Sequence, residues 1–210
     1  TSDGSEQISI APFNALRFKD RVGNFAATTQ SSNTLYLTNN PPKFTSTSVN
    51  SNNTSITIVF SEGVTDYPSK TDLSNTDFTL SVSGGTAVLA SVTPSALSKT
   101  DSTTYVLSTS YTSPANGTEI LTVTPISSAV FDSKGTQIVL SALSSNTVQL
   151  NDQKAPSITG ATLDSQNRHV DIAFSEGIYG SSYAASAVTS SSFTLSQQSG
   201  PSYGMTISGI

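Results

Sequence analysis

The chain has 210 residues, no Cys, no Trp, one His and a formal net charge of −5. Its few Lys and Arg are scattered, so it lacks the clustered basic face with which a nucleic-acid binder displaces counterions from phosphate, and no apolar run approaches the roughly 18 residues of a membrane span. Charged residues make up only 11% of it, and short runs of Thr, Val, Ile, Tyr and Phe without a long 3.6-residue apolar period make the expected class all-β.

Thr1-Ser2-Asp3-Gly4 reads as loop from inside a domain, not as a charged-then-apolar leader. After Glu6 the residues alternate as far as Pro12, and Asp20-x-x-Gly23 fits a type I turn with Asp first and Gly fourth. Asn40-Pro41-Pro42 is a stiff joint, because proline fixes its own φ and restricts the residue before it. Strands are then expected over Lys43–Val49, Ser55–Phe60, Asp77–Val82, Thr86–Val92, Thr103–Ser108, Glu119–Pro125, and Ile138–Leu140 with Thr147–Leu150. Ile56, Ile58 and Phe60 point one way and Thr57 the other, the period-2 pattern of a strand with one buried face. Phe78, Leu80, Val88, Tyr105, Leu107, Leu121 and Val123 are expected to fill the rest of the core. Gly84-Gly85 offers the positive φ angles of a tight hairpin, and Asn116-Gly117 and Asp132-x-x-Gly135 mark further turns. A second stiff joint, Lys154-Ala155-Pro156, precedes a strand with Val170, Ile172 and Phe174 inward and Asp171 outward.

The chain repeats itself. Phe60-Ser61-Glu62-Gly63-Val64 returns as Phe174-Ser175-Glu176-Gly177-Ile178, Asp77-Phe78-Thr79-Leu80-Ser81 as Ser192-Phe193-Thr194-Leu195-Ser196, and Ser32–Leu37 as Ser145–Leu150. Gly4-Ser5-Glu6 with Pro12 matches Gly117-Thr118-Glu119 with Pro125, and Asp20-x-x-Gly23 matches Asp132-x-x-Gly135; the offsets run only from 112 to 115. A period above 100 residues suits a duplicated domain better than a solenoid coil. Residues 1–41 are then the closing part of one copy, 42–155 a complete copy, and 156–210 the opening part of a third. Together the two ends make most of a domain, lacking the equivalent of Leu97–Ser113.

The Phe60–Val64 motif after an alternating strand, followed by Asp77–Ser81 and Gly84-Gly85, resembles tandem bacterial Ig-like repeats of large surface and secreted proteins. Asn146–Asp152 followed by Ala155-Pro156-Ser157-Ile158 is similar to a junction between such repeats. The resemblance covers the whole chain. It implies antiparallel Ig-like β-sandwiches in tandem and an extracellular, cell-surface setting. It does not choose among adhesins, surface layers, carbohydrate-active enzymes and filaments.

Asn151, Asp152, Asp164 and Glu176 lie near the entry to the third copy, and their oxygens are candidate ligands for a junction Ca²⁺, an ion that similar tandem repeats often carry. Against this, the first junction, Thr38-Asn39-Asn40-Pro41-Pro42, has no acid where Asp152 stands, and no EF-hand loop occurs. Glu62 and Glu176 serve equally well as turn caps. His169 matches Ser55 in the complete copy and reads as a solvent-facing strand residue; with no Gly-x-Ser-x-Gly elbow and no obvious cleft for paired carboxylates, no enzyme is expected. Tyr179 and Tyr183 sit in a Ser/Ala/Gly-rich loop that offers a glycan a place to bind, but Tyr105 reads as core. The expected function is a structural spacer or filament segment whose partners are neighbouring copies. The end copies are either cut from a longer array or completed head to tail between chains. The competing expectation is an adhesin-type module engaging glycan or protein through loops at one end of the sandwich.

Overall fold

The computed structural model describes residues 6–14, 18–27, 29, 31–37, 40–182, 185–196, 198–200 and 206–207. The expectations placed on residues 1–5, on Thr38 and Asn39, and on Tyr183 lie outside these. The chain divides into two compact units, Thr1–Gln153 and Lys154–Ile210. Every strand pair described is antiparallel.

In the first unit, among the described residues, β1 (Gln7–Ser9) pairs with β2 (Thr34–Tyr36) alone. The rest of the unit is a two-layer sandwich. One layer orders β3 (Phe44–Val49), β4 (Ser55–Phe60), β9 (Thr104–Ser108) and β8 (Ala96–Lys99) as β3-β4-β9-β8, and the other orders β13 (Thr147–Gln149), β11 (Ile120–Pro125) and β6 (Phe78–Ser83) as β13-β11-β6. Two short ladders close the ends: β5 (Val64–Thr65) with β12 (Phe131–Asp132), and β7 (Val88–Leu89) with β10 (Tyr111–Ser113).

Alternation builds the core. Ile56, Ile58 and Phe60 of β4 and Tyr105 and Leu107 of β9 meet Phe78 and Leu80 of β6 and Leu121 and Val123 of β11, all buried. Phe44 and Phe60 pack with ring centroids 4.9 Å apart, and Tyr105 meets Phe60 edge-on at 6.0 Å, the tilted arrangements that aromatic quadrupoles favour. The Tyr105 hydroxyl donates to the Val64 carbonyl at 3.0 Å, so its one polar atom is satisfied inside.

Three expectations change. Val88 is 54% exposed while its neighbours Ala87 and Leu89 pack on the core; the edge strand is set one residue out of the anticipated register, which turns each side chain to the other face. Gly84 and Gly85 do take positive φ (77° and 57°), but β6 and β7 pair with β11 and β10 and not with each other. Ile138 is buried yet not in a strand: it follows an isolated bridge from Phe131 to Gln137, and Leu140–Ala142 forms a 3-10 turn.

Several local structures recur at the repeat spacing. The β3–β4 hairpin pairs Phe44 with Phe60 and then Ser46 with Val59 across a bulge; in the second unit β14 (Ile158–Leu163) and β15 (Val170–Phe174) pair Ile158 with Phe174 and Gly160 with Ala173 across the same bulge. The amide of Ser61 donates to the Lys43 carbonyl and that of Ser175 to Ser157. In both Asp-x-x-Gly turns the glycine N–H donates to the Asp carbonyl at 3.1 Å, while the Asp carboxylate accepts two amides within its own turn. β1 and β2 pair Ile8 with Leu35, just as β11 and β13 pair Leu121 with Val148.

Equivalent positions nevertheless differ in burial. Ile58 is fully buried, whereas Ile172, its counterpart, is 37% exposed and Val170 is 50% exposed. The expectation that Val170, Ile172 and Phe174 face a core is thus not met at Val170 and Ile172, which are exposed; of the three, Phe174 is half-buried. Ile58→Ala is predicted to cost about 2–4 kcal/mol in chemical denaturation, and Ile172→Ala in the same chain less than about 1 kcal/mol; equal costs would contradict this difference.

Candidate functional site

The geometry most open to a functional reading is the seam along which the closing half of the complete copy meets its opening half. Its centre is the ladder between β6 and β11, six paired residues running from Ile120 with Ser83 to Pro125 with Phe78. The ladder joins residues about 40 positions apart and carries Leu80 and Val123 as direct partners.

A buried carboxylate locks one end of the ladder. Glu119 has no exposed surface. Its Oε1 accepts the amides of Thr86 (2.5 Å), Ala87 (2.9 Å) and Asn116 (3.0 Å), and its Oε2 also accepts Asn116 (3.1 Å). Burial alone would raise the pKa of this group; the amides of Asn116, Ala87 and Thr86 outweigh burial and hold it down to about 2. Gly85 is required here, because a Cβ at its φ of +57° would overlap the Glu119 carboxylate. Thus Gly84-Gly85 is less a hairpin device than room for a carboxylate.

An amide clasp locks the other side. Asn53, at φ 60° and 1% exposed, donates through Nδ2 to the Asn151 carbonyl (2.7 Å) and accepts the Asn151 amide at Oδ1 (2.9 Å). The closing segment is therefore held through its main chain, and the Asn151 side chain adds a bond from Nδ2 to Asn53 Oδ1 at 3.2 Å. The Asn151 side chain in turn donates to the Asn50 carbonyl at 3.0 Å, and the Gln153 side chain to Ser51 at 2.9 Å.

The four residues expected to gather a calcium ion divide between the units: Asn151 and Asp152 in the first, Asp164 and Glu176 in the second. Asn151 is occupied by the clasp. Asp152 is exposed and packs beside Gly117. Asp164 accepts the amides of Arg168 (2.5 Å) and His169 (3.1 Å) at Oδ1, and the amides of His169 and Arg168 hold its carboxyl below the usual carboxylate range. Asn50 does the same work in the complete copy, accepting Thr54 at 2.8 Å and Ser55 at 3.0 Å. That turn therefore needs an oxygen, not a charge. Glu176 is half-buried, as is its counterpart Glu62. Among the described residues no group of three or more His, Cys, Asp or Glu side chains is placed to hold a metal ion.

His169 is exposed and lies in the turn just before β15. Tyr36 and Tyr179 are 68% and 60% exposed, in different units, while Tyr105 is core. Two shallow open depressions occur, one lined by Ile10, Ala11, Pro12, Phe18 and Ala26, the other by Ser190, Ser191, Phe193, Leu195, Thr206 and Ile207. Among the described residues no helix is long and apolar enough to cross a membrane.

No protein-family model matches the chain, and no curated protein matches it. Among solved structures, the crystal structure of the S-layer protein rSbsC is similar over 59% of this chain and 15% of that one, with 18% sequence identity and a TM-score of 0.36. The chain thus spans under a sixth of the length of that protein.

Glu119 sets a pH dependence. Its carboxylate is held at about 2 in the fold, against about 4.3 when solvated in the unfolded chain. The stability it adds is therefore complete above about pH 5 and is lost as the pH falls toward 2. Glu119→Gln is predicted to lose about 2 kcal/mol at neutral pH and to show a shallower fall in melting temperature between pH 5 and pH 2 than the parent; parallel curves would contradict this role.

Proposed function

We propose that the chain is a structural spacer segment of an extracellular bacterial surface or filament-forming protein. It is built of Ig-like β-sandwich repeats in tandem, a complete one at 42–155 between parts of two others at 1–41 and 156–210. The observation that carries the reading is the recurrence of whole local structures at offsets of 112 to 114 residues: a bulged hairpin, two Asp-x-x-Gly turns and a strand pair. A sequence that duplicates a domain without varying its turns multiplies a scaffold more readily than a reactive site.

The complete copy also has the connectivity of a link in a rod. The chain enters beside Phe44, where Ser61 donates to Lys43, and leaves at Asn151, held by Asn53. These points are at opposite ends of the β3–β4 hairpin, about 20 Å apart for six residues of strand. Entry and exit at opposite ends let successive copies extend. The proline joints at 40–42 and 154–156 restrict bending between them. A surface rich in Ser, Thr and Asn with only 11% charged residues depends little on ion pairs, as suits a protein exposed to varying salt. In this reading the role is mechanical and not catalytic, and glycan or surface-protein binding is left to other parts of an array.

Stretching single molecules of the 210-residue chain between its ends tests this. The complete copy is predicted to unfold in one step that releases roughly 350–400 Å of chain. Gradual extension without a discrete step would contradict a mechanical role.

A further inference from the structure

One of the amides that holds the Glu119 carboxylate belongs to Asn116, and Asn116 stands before Gly117 in the chain's single Asn-Gly step. With no Cβ on the following residue, the main-chain nitrogen can close on the asparagine side chain at Cγ. Elsewhere in the complete copy this route is obstructed. Asn50, Asn53, Asn75, Asn146 and Asn151 each donate a hydrogen bond through Nδ2, and none of them precedes a glycine. Among the described residues, the Nδ2 of Asn116 and the amide of Gly117 donate no hydrogen bond.

The turn also acts on the carboxamide oxygen. Asn116 Oδ1 accepts the Thr118 hydroxyl at 2.7 Å and the Thr118 amide at 3.2 Å. These two donors sit on the atom where negative charge gathers when Cγ is attacked, the arrangement that stabilises an oxyanion. Gly117, at φ 80°, is half-buried and Thr118 is exposed, so water reaches the turn. The first copy writes the four positions Asn116-Gly117-Thr118-Glu119 as Asp3-Gly4-Ser5-Glu6. An aspartate there takes the place of Asn116, with the glycine, a hydroxyl and the glutamate all kept.

We propose that Asn116-Gly117 is a self-modifying site, where the complete copy converts its own asparagine to aspartate and isoaspartate with water as the only co-reactant. The Gly117 nitrogen bonds to Asn116 Cγ, and its proton departs with Nδ2 as ammonia, leaving a cyclic imide. Water then opens the ring in one of two ways. Breaking the new Cγ–N bond gives aspartate on the original main chain. Breaking the original C–N bond gives isoaspartate, whose main chain runs through the side-chain carbons and is one methylene longer. The two products differ in effect. Aspartate keeps the oxygen that Thr118 bonds. Isoaspartate puts its methylene between the Asn116 amide and the Glu119 carboxylate that accepts it. The turn has no room for the extra length: a Cβ on Gly117 would already lie 3.2 Å from the Cβ of Asp152, and the Gly117 carbonyl accepts the Gln149 side chain. Isoaspartate therefore works directly against the Glu119 lock.

Peptide mass spectrometry of the 210-residue chain, held in warm and mildly alkaline buffer, reads the site. The peptide carrying Asn116 is predicted to gain about 1 Da before any other asparagine peptide does, and no more slowly than in the same chain unfolded in guanidinium. Thr118→Val, at an exposed position, is predicted to slow the conversion by about threefold or more in the folded chain and to leave it unchanged in the unfolded one. Asn116→Asp separates the two products. That variant is predicted to melt with the fresh parent, while aged parent melts lower in proportion to its isoaspartate, counted by enzymatic methyl transfer to that group. Conversion appearing first at another asparagine, a slower rate in the folded chain than in the unfolded one, a folded Thr118→Val rate equal to the parent's, or aged protein that melts with Asn116→Asp each overturns the proposal.

Discussion

The ladder between β6 and β11 is the constraint on which the complete copy depends. It is the longest pairing between the opening and closing halves, and it sets Phe78 and Leu80 beside Leu121 and Val123 under the β3-β4-β9-β8 layer. Neither half has a buried face alone. The chain provides its own controls: the β14–β15 hairpin, with the pairing and bulge of β3–β4, leaves Val170 and Ile172 exposed, and β1–β2, with the pairing of β11–β13, leaves Ile8 exposed. Local sequence makes the hairpins. The non-local ladder makes the core.

Polar groups fix the ladder's position. A buried carboxylate is costly unless its lone pairs are met, and Glu119 is met by three backbone amides from two segments. Because those amides belong to Thr86 and Ala87 just beyond β6 and to Asn116 just before β11, sliding the ladder by one residue would leave a charge buried and unpaired, a penalty far larger than a lost apolar contact. Asn53 acts in the same sense on the closing strand through the main chain of Asn151. With few charges on its surface, the domain keeps its most consequential one inside.

Much of this was legible in the residues. Ile56, Ile58 and Phe60 announce a half-buried strand by alternation, and Asp20 and Asp132 announce their turns by the glycine three residues on. The repeat followed from matched motifs alone. The seam was less legible, because it is made of pairings between segments distant in sequence. Glu119 stood out only as part of a recurring Gly-Thr-Glu and Gly-Ser-Glu match; an acid kept beside Gly in both copies of so uncharged a chain was the available signal for its buried role. Asn53 carried a weaker signal, an Asn in a turn able to adopt positive φ. Val88 was misread because an edge strand of two residues gives alternation too little length to set its phase. The short Ala96–Lys99 strand was missed because only Leu97 of its four residues packs on the core. Of the calcium candidates, Asp164 builds the turn that Asn50 builds without charge.

Amide hydrogen exchange on the 210-residue chain, at a dilution where it is monomeric, tests the central claim most directly, since one tetrapeptide serves as both sample and control. The amides of Phe78–Ser81 are predicted to be protected to the level of β4 and β11, and those of Phe193–Ser196 to exchange at near unprotected rates. Equal protection of the two Phe-Thr-Leu-Ser segments would contradict the claim that the ladder, and not the local sequence, makes the strand.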